Sequence, residues 1–155
     1  MGERNGELAD DEHMGDGDLS DLLAELRILL PGAQTLTAFL IILPFNTGFA
    51  QIRQGEQYVY VATFICALVS LILFAAPAAQ HRLQRPLLDR ERFKLRATRL
   101  IMAGLLFLSL SLILATQLVL DEVLHLAWLS WGTAGGVALL IGAVWWLMPL
   151  REKGR

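Results

Sequence analysis

A chain of 155 residues has room for one domain. Hydrophobic residues make up 55%, charged residues only 18%, and the mean hydropathy is +0.50, which excludes an ordinary soluble domain and puts the membrane class first. The net charge of −2 conceals a split: residues 1–27 hold nine acids against two arginines, whereas residues 28–155 hold eleven Lys and Arg against six acids. The single cysteine, Cys66, excludes an internal disulfide and a cysteine-rich metal site. The polar, acidic N-terminus lacks the basic start and short apolar run of a signal peptide.

Residues 1–18 are acidic, glycine-containing and free of aromatic residues, so they read as a disordered tail with too little apolar surface to offset its ordering entropy. In residues 19–30, Leu19, Leu22, Leu23, Leu26, Leu29 and Leu30 recur with a helical period. That pattern predicts an amphipathic helix, with Asp18 as its N-cap, lying in the membrane interface or prolonging the following span. Pro31-Gly32 should break or bend the chain.

Four apolar stretches follow, at about 31–50, 58–79, 100–120 and 127–150. At about 1.5 Å per residue, each is long enough to cross about 30 Å of hydrocarbon. The first is the weakest: Pro44 predicts a kink, and Asn46 puts an amide near its end. The second contains no charge; Tyr58 and Tyr60 mark one interface, and Pro77 should end the helix at the other. Cys66, near mid-span, reads as a packing residue. The third carries Gln117 as its one strongly polar side chain. Asn46 and Gln117 sit at similar depth in their spans, which predicts an interhelical hydrogen bond between them. The fourth has Trp128 and Trp131 at one end, Trp145 and Trp146 at the other, and a GxxxG pair, Gly132 and Gly136. That pair suits either a contact within the bundle, the favoured reading, or a homodimer face.

Between the second and third spans lies the densest basic stretch: Arg82, Arg85, Arg90, Arg92, Lys94, Arg96 and Arg99 against Asp89 and Glu91. Lys and Arg beside a span stay on the cytoplasmic side. With Arg27 and the basic C-terminal tail at 151–155 on that side and Arg53 alone on the other, both termini are expected in the cytoplasm. The expected fold is all-α: a four-helix transmembrane bundle, up-down-up-down, occupying residues 31–150 of a multi-pass inner (plasma) membrane protein.

No phosphate loop, nucleophile elbow or His-Glu-x-x-His pattern occurs. Of the three histidines, His13 is in the tail, and His81 and His125 fall on opposite membrane sides and cannot share a metal; no carboxylate falls inside a span. No catalytic residue, cofactor, metal or nucleic-acid partner is therefore expected, and the protein reads as a non-enzyme. His81, Arg82, Arg85 and Arg99 gather where anionic lipid headgroups lie and are the expected headgroup contacts.

Glu25-Leu26-Arg27, Leu30-Pro31-Gly32, Pro44-Phe45, Pro77 and His81-Arg82, in this order over residues 18–150, resemble a family of small four-span bacterial membrane proteins, common in actinobacteria, known only as a domain of unknown function. The resemblance implies the same topology and supplies no activity. The reading is a structural or interaction protein that engages the bilayer, with its anionic lipid, or a membrane partner through its cytoplasmic face. The alternative is a small transporter or channel subunit, dimeric through Gly132 and Gly136.

Overall fold

The first apolar stripe sets the architecture. Leu22, Leu26, Ala33, Thr37 and Leu40 are spaced by three, four or seven residues and are all buried, so a single helical face carries them in register. The computed structural model describes residues 2–46, 49, 53–83, 90–124, 126–148 and 151, with side chains described from residue 21 onward except those of residues 81, 90 and 91. Helix α1 runs from Gly2 to Ile42. The break expected at Pro31-Gly32 is not there: Pro31 lies inside the helix. Proline removes the bond its own N–H would have given to the carbonyl four residues back, here that of the exposed Arg27, and its ring crowds that carbonyl. The stripe on either side outweighs that loss.

Two further expectations change with it. Residues 2–18, read as a disordered tail, form the first turns of α1, and Asp18 lies mid-helix rather than at a cap. Once a packed segment has nucleated a helix, adding turns costs only propagation. Residues 19–30 run on without a break into the rest of α1, as in the prolonged-span alternative, and Leu22 and Leu26 belong to the core.

Pro44 does not kink the first span; it ends it. Helix α1 gives way to a 3-10 turn at Leu43–Phe45, and Asn46 follows with extended backbone. Helix α2 covers Gln54–Leu83, and Pro77, predicted to stop it, sits inside it and is buried. Helix α3 covers Arg90–Leu124, and α4 covers Ala127–Ile141, continuing as a π-helical segment at Gly142–Leu147.

Four stretches are long and apolar enough to cross a membrane: Asp21–Phe45, Gln54–Gln80, Arg92–Leu124 and Ala127–Leu147. What lies inside is mostly small: Thr63, Ala67, Ser70, Ala97, Ser111 and Ser130 have no exposed surface. Large apolar side chains such as Phe39, Ile65, Ile72, Leu106, Leu139 and Leu140 point outward. This is the packing rule of helices in lipid, where close approach of backbones replaces burial of oily side chains.

The helices α2 and α3 form the most extensive interface and run antiparallel. The Ser111 hydroxyl donates to the Thr63 carbonyl at 3.0 Å, and Phe74 lies against Gly104. Helix α1 packs against α2 and, more lightly, α3, tied by the Tyr60 hydroxyl donating to the Leu40 carbonyl at 2.9 Å. Among the described residues, helix α4 packs against α3 and against no other of the helices α1–α3. The molecule is thus a three-helix core with the fourth helix leaning on one side.

Candidate functional site

Two ends of the molecule carry polar groups, and they differ in composition: the arginines concentrate at one, while Glu56, Asp121 and Glu122 lie at the other with Arg53. At the basic end, Arg27, Arg82, Arg96 and Arg99 are exposed, and among the described residues none of the four has a carboxylate partner. Arg92 and Lys94 are exposed beside them. Their placement follows from the core: Leu26, Ala97 and Ile101 are buried in one cluster, so neighbouring Arg27 and Arg99 fall on outward faces at that level. Arg82 lies two helical turns past Phe74 of the same cluster. Of the expected headgroup contacts, Arg82 and Arg99 are thus placed together. His81 lies in α2, but its side chain is outside the described residues, as is the whole of Arg85.

At the opposite end, the close of α1, the start of α2 and the close of α3 surround a cavity of about 270 Å³. Leu43, Phe49, Leu118, Val119 and Val123 form its apolar wall, and Asn46, Glu56 and Glu122 bring an amide and two carboxylates to it. Several of these groups are held in place. The Glu56 carboxylate accepts the Arg53 backbone N–H at 3.0 Å, as a residue at a helix start should. Phe49 meets Tyr60 edge to face, with centroids 4.8 Å apart and planes at 73°. The Tyr60 hydroxyl is in turn fixed on Leu40. The sequence reading missed this site, because its two halves are more than sixty residues apart along the chain and only folding assembles them; the visible signal was an acid near each end of the outer connections, at Glu56 and Glu122.

The hydrogen bond expected between Asn46 and Gln117 is not formed. Because Pro44 terminates α1, Asn46 lies beyond the helix, exposed, and lines the cavity with Leu118, Val119, Glu122 and Val123. Gln117 points roughly half a turn away from those α3 residues. It is 3% exposed, and its Oε1 has no partner among the described residues.

Gly132 and Gly136 do not make the favoured contact within the bundle. Both are exposed, and a Cβ on either would meet nothing within 4 Å. Ser130 and Ala134 are the small residues of α4 that are buried. The close approach of backbones occurs instead at Gly104, where a Cβ would stand 2.6 Å from Phe74 Cε1.

Four apolar helices with a small-residue interior and oily exterior define an all-α, four-helix integral membrane protein. Within that class the particular assignment follows from the sequence profile: the chain belongs to the Family of unknown function (DUF6328), whose profile matches residues 10–149. No curated protein and no solved structure matches it.

Proposed function

We propose that this protein is a non-catalytic component of the plasma membrane that engages anionic lipid through its basic end, with that end and both termini in the cytoplasm. The observation that supports this reading is the set of exposed guanidinium groups at Arg27, Arg82, Arg96 and Arg99, which lack carboxylate partners among the described residues. Helix α3, with 35 residues, is about 52 Å long, well over the roughly 30 Å of a bilayer core, so its first turns reach the headgroup layer. A basic side chain near an anionic surface contributes about 1 kcal/mol.

The test is lipid preference. Protein in nanodiscs of mixed phosphatidylglycerol and phosphatidylcholine should retain phosphatidylglycerol on delipidation. Replacing Arg82, Arg96 and Arg99 together by Gln should reduce that preference by at least tenfold at low salt, given about 1 kcal/mol for each group. An unchanged preference would remove the proposal.

A second reading, a small transporter or channel subunit that dimerises through α4, draws support from the outward, unfilled positions of Gly132 and Gly136. Solute or ion flux through vesicles containing the purified protein separates it from the first.

A further inference from the structure

The cavity at the acidic end is not used by the lipid reading, and its composition specifies a ligand. Among the described residues, five of those lining it are apolar and three are polar, and the charged ones are both carboxylates. Arg53, the nearby cation in sequence, is not among them and forms no ion pair among the described residues. A volume of about 270 Å³ is about nine times the share of one water in the liquid. That is room for one ring or a short branched alkyl group, not for an acyl chain. An apolar pocket with a few convergent polar groups is the general form of a small-molecule site. Here the negative charge selects a cation, and Phe49, held edge to face by Tyr60, adds an aromatic ring whose face attracts an ammonium group.

We infer that this cavity binds a small hydrophobic organic cation, with its apolar body against Leu43, Leu118, Val119 and Val123 and its ammonium group between Glu56 and Glu122. The site is pre-formed at two points. Glu56 is held by the Arg53 N–H, and the aromatic wall is tied through Tyr60 to the carbonyl of Leu40. Less ordering is therefore left to occur on binding. Glu122, Val119 and Val123 are exposed and Glu56 and Leu43 half-buried, so the site is an open groove and the cation reaches the carboxylates from the surface.

The probe is benzyltrimethylammonium, with the full-length protein in phosphatidylglycerol nanodiscs and empty nanodiscs as the partition control. Saturation-transfer NMR and equilibrium dialysis should give saturable binding of the cation, and none of the uncharged isostere in which carbon replaces nitrogen. Glu122→Gln alters an exposed side chain and leaves the fold intact; it should weaken binding at least fivefold. Glu56→Gln keeps an acceptor for the Arg53 N–H and should do the same, the double variant more than tenfold. Val119→Trp, which fills the cavity, should abolish binding. Equal binding of the isostere, no loss in either Gln variant, or no saturable binding would overturn the inference. So would displacement of the probe by phosphatidylethanolamine added to the nanodiscs, which would make the site one for a lipid headgroup. Anionic-lipid preference measured on the same Gln variants should not move, which keeps this outcome separate from that of the basic end.

Discussion

At the level of single residues, this interior is governed by how closely backbones can approach. The ring of Phe74 is completely buried and occupies the space a side chain at residue 104 would need. Gly104→Ala should therefore destabilise the α2–α3 pair by about 1–3 kcal/mol, the usual cost of overpacking, read as a lower midpoint in an SDS unfolding titration. Gly132→Ala and Gly136→Ala, which meet open space, should leave that midpoint unchanged. An equal loss at all three positions would mean that the fit against Phe74 does not set the cost, since alanine is by itself the better helix former. Gln117 is the opposite case, a polar group kept where nothing satisfies its carbonyl oxygen. An unpaired buried acceptor costs about 1–3 kcal/mol, so Gln117→Leu should raise the midpoint.

At the level of helices, the number and order of spans were readable directly from hydropathy, but the ends were not. The reason is visible at three prolines. Pro31 and Pro77 are both inside helices, whereas Pro44 ends one. A proline's local effect is the same each time, a missing donor and a ring that crowds the preceding turn. What differs is whether packing continues beyond it. Past Pro31 the buried stripe goes on through Ala33, Thr37 and Leu40; past Pro44 no residue of the 3-10 turn is buried. Tertiary packing thus overrides local propensity, and a pattern of leucines cut at Pro31 puts the first span about ten residues too late. The tie between α1 and α2 can be tested alone. Tyr60→Phe removes the bond to the Leu40 carbonyl and should lower the unfolding midpoint by the equivalent of about 0.6 kcal/mol, the average for such bonds in membranes. It should also loosen Phe49, whose ring rests on Tyr60.

For the whole molecule, the arginines concentrate at one end, which also holds Asp21 and Glu25 of α1, while Arg53 lies at the other. Glu56, Asp121 and Glu122 are at the end where α1 and α3 finish; Arg82, Arg96 and Arg99 are at the other. The sequence made the basic end plain, because most of its arginines cluster in one stretch of chain, and hid the acidic cavity, because its parts come from the segment after α1 and from α2 and α3. Charge bias also carries the orientation. Eleven Lys and Arg lie on one side of the spans, counting Arg27, the seven at 82–99 and the three at 151–155, against Arg53 alone on the other. Basic residues next to a span resist translocation, so the cavity should open away from the cytoplasm. Two single-cysteine variants in a Cys66→Ala background decide this. Both target positions, Arg53 and Arg96, are exposed. Arg53→Cys should react with a membrane-impermeant maleimide in intact cells, and Arg96→Cys should react only after permeabilisation. The reverse pattern would turn the molecule over, placing the carboxylate-lined cavity in the cytoplasm and the arginines outside, where anionic lipid would have to be supplied by the other leaflet.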